Sequence, residues 1–145
     1  MKKDNIYIKM CKKAREIQKL AKVEDGSWFF CECKDIKNYP HGYGLNLGSE
    51  SDADNGNEKL IDSSTDTWLP SQEQLQEIYG EDLFKICTSF SEFCMSSYVM
   101  KSTKQPGSKP LAMYVFKNTN QLWLAFVMKE KFNKIWKDKE WIINQ

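Results

Sequence analysis

Arginine and histidine are almost missing from this sequence: Arg15 and His41 are single occurrences in 145 residues. The positive charge is otherwise carried by lysine. Guanidinium forks are the usual means of bidentate phosphate and base recognition, so a chain with one of them is poorly equipped for sequence-specific reading of nucleic acid. There is no Gly-x-Ser-x-Gly elbow, no glycine-rich phosphate loop ahead of a helix and no dinucleotide fingerprint. An enzyme is therefore the least supported class, and no catalytic residue or cofactor is expected. Long apolar runs are missing too. The longest, Leu122 to Met128, has seven residues and meets Lys129, Glu130 and Lys131 at once. A membrane span needs roughly 18 or more. The basic start has no apolar stretch behind it, so no signal peptide is expected. The five cysteines are an odd set without other signs of secretion, which points to reduced thiols in a cytoplasm.

What is present is enough for a folded core. Apolar residues make up 41% and aromatics 13% of the chain, and the length predicts one globular domain over residues 1–145. The run from Leu122 to Met128 predicts a core helix over 119–133, capped by Asn118 or Thr119, with neighbours on more than one side. Trp123 and Phe126 lie three apart and are both expected inside. Three further helices are expected. The first runs from an Asp4 cap to about Lys22, with Ile6, Tyr7, Met10, Cys11, Ala14, Ile17, Leu20 and Ala21 on one face. A short one covers Gln72 to Tyr79, opened by Ser71 with Gln74 and closed by Gly80. A longer one runs from Asp82 to about Lys101, with a stripe of Leu83, Ile86, Cys87, Phe90, Phe93, Cys94 and Tyr98. Ser27 to Lys34 reads as a strand, and Tyr43 to Leu47 and Lys59 to Asp62 as short strands pairing with it. Residues 35–66 form a long, irregular, acidic segment, and Leu111 to Phe116 is open between strand and helix. Trp136 and Trp141, in a lysine-rich tail, are expected to fold back onto the body. The fold class is α+β: about four helices around the core helix, with a small antiparallel sheet from residues 27–62.

Charge is distributed unevenly. Residues 1–22 hold eight Lys/Arg against Asp4 and Glu16, and residues 49–82 hold ten Asp/Glu against Lys59. The two regions either neutralise each other in one fold or offer a basic face to an acidic partner. Lys12, Arg15 and Lys19 on the outer face of the first helix are the candidate contacts for nucleic acid; a solvated lysine face is the competing reading. Cys31, Cys33 and His41 are the one cluster with metal-ligand residue types. A single intervening residue is short for a zinc pair, and a fourth ligand is not evident, so no metal is expected. The acidic loop fails as a calcium loop, because Ala53 and Asp62 fall where an oxygen ligand and a glutamate are needed. The stretch from Trp68 to Gln76 is the candidate binding surface. Gln72, Gln74 and Gln76 supply amides beside the apolar anchor of Trp68, provided that ring is partly exposed.

Two strings, WLPSQEQLQEI at Trp68 to Ile78 and QLWLAFVMKEKF at Gln121 to Phe132, together with the opening IYIKMCKKAREIQKL, resemble an uncharacterised family of small proteins from phages and prophages. The resemblance covers about 40 residues in the same order. It implies a cytoplasmic, phage-associated protein and no catalytic residues. The resulting expectation is a non-enzymatic accessory or protein-interaction protein with an unidentified protein partner and no membrane. The alternative is a non-specific nucleic-acid-binding module using the basic face of the first helix.

Overall fold

A computed structural model describes residues 4–21, 27–31, 44–46, 66–98 and 110–145. The α+β class is as expected. By its contacts the chain gathers into two compact units, Met1–Ser71 and Gln72–Gln145.

The first unit joins a broken helix to a three-stranded sheet. Helix α1, Asn5–Lys13, starts at Asp4, whose carboxylate accepts from the amides of Ile6 and Tyr7 at 3.1 and 3.0 Å. The expected single helix to Lys22 is not formed. Ala14 leaves the helical region (φ −82°, ψ 73°), and a one-turn helix α2, Arg15–Gln18, follows. The break releases the carbonyl of Cys11, which then accepts from the Ala14 amide and from the Gln18 side chain. Strands β1 (Trp28–Cys31), β2 (Gly44–Asn46) and β3 (Asp66–Leu69) pair antiparallel in the order β2-β1-β3. Trp28 opposes Asn46 and Leu69, and Phe29 opposes Leu45 and Trp68. The first two strands fall within the expected ones. The third does not: β3 lies in and just beyond the segment read as irregular, while Lys59 to Asp62 lies outside the described residues. An aspartate and a threonine hid it, yet all four residues of β3 are buried. Tyr7, Met10, Cys11, Ala14 and Ile17 form the helical side of this core; Phe29, Trp68 and Leu69 form the sheet side.

The second unit is built on helix α6, Thr119–Phe132. The Asn118 side chain caps it, accepting from the Gln121 backbone amide at 3.0 Å, and the Gln121 side-chain Oε1 accepts from the Lys117 amide at 3.2 Å. Asn133 ends it in the left-handed region, φ 53°. Helices α3 (Gln72–Tyr79), α4 (Leu83–Cys94) and α5 (Ala112–Val115) complete the helical set. Helix α4 was expected to reach Lys101 and stops at Cys94. Beyond it the Ser96 hydroxyl turns back to the Phe93 carbonyl, and Ser97 and Tyr98 become extended to bond Leu111 and Pro110. That pairing also resolves Leu111 to Phe116: one bridge residue, then a single helical turn. The tail is a β-hairpin that the sequence reading missed, with β4 (Lys134–Lys137) against β5 (Glu140–Ile143). Its loop, Asp138 and Lys139, has φ of 50° and 64°, the double positive φ of a type I′ turn. Trp136 is buried and Trp141 half-buried, their rings 5.0 Å apart.

Phe126 is the hub of the second core. Its ring meets Tyr79, Phe90, Phe93 and Trp123 at centroid distances of 5.0 to 5.6 Å. Phe90 stacks flat on Trp123 at 3.9 Å. The run from Trp123 to Met128 is entirely buried, so the core helix holds the place its sequence demanded.

Candidate functional site

The predicted contact residues fare differently. Trp68 is 2% exposed, opposite Phe29 in the sheet. The recognition surface read from Trp68 to Gln76 needed part of that ring in solvent, so it is not there. Gln72 is exposed and Gln76 half-buried on α3; without the aromatic anchor they are helix-surface amides. Lys12, Arg15 and Lys19 are exposed, but the break at Ala14 separates Lys12 from the other two. Their spacing no longer defines one straight basic stripe. Of the metal candidates, Cys31 lies in β1, and Cys33 and His41 lie outside the described residues. Among the described residues no three of His, Cys, Asp or Glu gather, and Cys11, Cys87 and Cys94 are free thiols.

The buried polar groups of the first unit hold the fold together. Trp68 offers both its amide and its carbonyl to Gln18: the amide donates to Oε1 at 2.8 Å and Nε2 donates to the carbonyl at 3.0 Å. A side-chain amide thus pairs with β3 as a neighbouring strand would. The Tyr7 hydroxyl donates to the Pro70 carbonyl. Burial pushes the Tyr7 hydroxyl and the Cys11 thiol well above their ordinary ranges, so both are neutral at physiological pH. A buried neutral thiol is a poor nucleophile, which leaves Cys11 a packing residue.

The feature that packing does not explain is the outer face of α4. Plotted at about 100° per residue, Leu83, Cys94, Cys87, Ser91, Phe84, Met95 and Thr88 fill one arc of about 140° that contains no charged side chain. Phe84 is 82% exposed, Leu83 73% and Met95 63%. Cys87 is exposed as well. The opposite face carries Ile86 and Phe93, both buried, and Phe90 on Trp123. Helix α4 thus has two apolar faces and one occupied core. The expected stripe assigned Leu83 and Cys87 to the core; they point out because Ile86, Phe90 and Phe93 already fill the available contacts with α6. The two charged residues of the helix, Lys85 and Glu92, sit together on one edge of the arc. Lys85 forms an exposed ion pair with Glu81 at 2.8 Å, which raises its pKa. The amide of Ala112 donates to the Ser96 carbonyl at 2.8 Å. This brings α5, with exposed Met113 and Tyr114, to the C-terminal end of the patch. Large exposed apolar patches of this kind mark interaction surfaces more often than isolated exposed side chains do.

An open cleft of about 560 Å³ runs along the hairpin, lined by Ile135, Lys137, Ile142, Ile143, Asn144 and Gln145. Lys137 is the one ionisable side chain in that lining, and it has no acid–base partner there.

No protein-family model, no curated protein sequence and no solved structure matches this chain. The strings at Trp68 to Ile78 and Gln121 to Phe132 fall on core-building segments. Trp68, Leu69, Pro70 and Leu75 are buried in the first, and Gln121 with Trp123 to Met128 in the second. Their side chains are engaged in packing, and neither string coincides with the outer face of α4. Among the described residues no helix is long and apolar enough to cross a membrane.

Proposed function

We propose that this chain is a non-enzymatic protein-interaction protein, and that it engages its partner through the outer face of α4. The observation that carries this reading is the uncharged arc from Leu83 to Met95, with Phe84 at its centre almost wholly in solvent. Aromatic and methionine side chains on a charge-poor surface are what protein interfaces bury. The arc holds no cation for a phosphate and no acid–base pair for catalysis. The strings around Trp68 and within α6 support an accessory role in a phage or prophage, and the free thiols of Cys11, Cys87 and Cys94 support a reducing, cytoplasmic setting.

The test is association at high salt. The full chain should retain its protein partner in pull-downs at about 0.5 M salt, where lysine–phosphate contacts are largely lost. Phe84→Glu should abolish retention while leaving circular dichroism and thermal midpoint unchanged. Binding that instead falls steeply with salt, and falls further in a Lys12→Ala, Arg15→Ala, Lys19→Ala variant, would replace this reading with the nucleic-acid module.

A further inference from the structure

We infer that the partner of the α4 face is a second copy of this chain, paired helix to helix in antiparallel fashion. This rests on the reading of α4 as the interaction surface and adds the identity of its occupant. The reason is a self-complementarity visible in the helix. Leu83–Cys94 has its midpoint between Thr88 and Ser89. Lys85 and Glu92 are placed symmetrically about that point, each the third residue from its end of the helix. Both lie on the same edge of the exposed arc. When two such helices run antiparallel about a two-fold axis, same-edge residues face each other. Lys85 of each copy then meets Glu92 of the other, giving two equivalent pairs of opposite charge. A parallel two-fold pairing would carry the two charged edges to opposite sides of the seam and leave neither pair formed. The uncharged residues obey the same symmetry. Bulky Leu83 and Phe84 at one end fall opposite Cys94 and Met95 at the other. Cys87 and Ser91 oppose each other in the middle, where small side chains let the backbones approach. An isologous contact needs such a self-complementary patch.

The helix also sets the strength. Twelve residues span about 18 Å, and even with Met113 and Tyr114 at the rim the contact is at the small, transient end of specific interfaces. The dimer should therefore depend on concentration, forming in the range of about 10–100 μM.

Sedimentation equilibrium on the full chain tests this, with charge reversals at the two symmetric positions. Wild type should show a reversible monomer–dimer equilibrium. Lys85→Glu alone, and Glu92→Lys alone, should each weaken dimerisation roughly tenfold, since two attractive rim pairs become two repulsive ones. The double variant Lys85→Glu, Glu92→Lys should restore it to within about threefold, because the pairs are re-formed with exchanged signs. Loss of the Lys85–Glu81 pair occurs in both the single and double Lys85 variants, so it cannot produce the rescue. A wild-type chain that stays monomeric to about 1 mM overturns the self-pairing. So does a double variant as weak as the single ones. If either happens while a heterologous partner is still lost on Phe84→Glu, the interaction reading stands and only the second copy is wrong. If Phe84→Glu affects neither, both fail.

Discussion

The two units of this chain are held together by different means. In the first, a helix and a sheet are tied by a few specific polar contacts. Gln18 pairs with both backbone groups of Trp68, Tyr7 reaches the Pro70 carbonyl, and Ser27, Asp66 and Thr67 are buried among the apolar side chains. In the second, one helix supplies a continuous apolar surface, and the rings of Tyr79, Phe90 and Phe93 close on it through Phe126. Burial is non-directional and scales with area. Hydrogen bonds to buried backbone are directional, and leaving them unmade is costly. The first unit should thus be sensitive to which atoms a side chain carries, and the second to how much volume it fills.

The largest expected effect is in the second unit. Phe126→Ala should cost about 3–5 kcal/mol in chemical denaturation, from lost burial and the cavity left among four rings. A loss below about 1 kcal/mol would show that the aromatic cluster is not what holds that unit.

In the first unit, Gln18→Ala should cost about 1–3 kcal/mol, because the amide and carbonyl of Trp68 lose their partners. Gln18→Glu sharpens the contrast. It keeps the acceptor for the Trp68 amide but turns a carboxylate oxygen towards the carbonyls of Trp68 and Cys11, so it should destabilise at least as much as alanine. Hydrogen exchange at β3 reads both. Equal protection in Gln18→Glu and wild type would mean that shape, not donor placement, matters there too.

Alkali should separate the units further. The Tyr7 and Cys11 pKa values are raised in the fold above ordinary values of 10.0 and 9.0, chiefly by burial. The stability this represents is complete below the unfolded values. It is lost as pH rises above about 9, because the unfolded chain then releases protons that the folded one retains. Tyr98 of the second unit is raised as well, by burial, partly offset because the Trp136 amide donates to its oxygen. Among the described residues of that unit burial also raises the Cys94 thiol, but it is only part-buried, whereas the first unit buries two such groups fully and side by side. Exchange protection between pH 8 and 10.5 should therefore fail first in α1 and β3. Earlier failure in α6 would reverse the comparison.

The smallest effect is a gain. Lys139 holds a left-handed conformation in the hairpin loop, which costs a side chain roughly 1 kcal/mol relative to glycine. Lys139→Gly should raise the stability of the second unit by about 0.5–1 kcal/mol. A decrease in the thermal midpoint would mean that the Lys139 side chain makes a contact worth more than the strain.

The sequence by itself determined the elements whose cause is local. A seven-residue apolar run cannot be solvated, so α6 and the burial of Trp123 and Phe126 followed from composition alone. The caps at Asp4, Asp82 and Asn118, the stop at Gly80 and the end near Asn133 rest on side chains within a few residues of the backbone they serve. The α+β class followed from the same patterns. Only the tertiary structure decided the rest, because its causes lie far apart in the chain. The break at Ala14 exists because Gln18 meets Trp68, fifty residues away. Strand β3 exists because Trp68 faces Phe29 across the sheet, and this hid an aromatic that periodicity alone would leave on a surface. Helix α4 ends early because Ser97 pairs with Leu111, and the hairpin forms around a turn without the Asn-Gly signal that marks such loops. The candidate site is the sharpest case. Leu83 and Cys87 look like core residues at helical spacing, yet they lie outside with Phe84 and Met95. Which of two apolar faces a helix buries depends on where its neighbours lie, and here Ile86, Phe90 and Phe93 had taken that place.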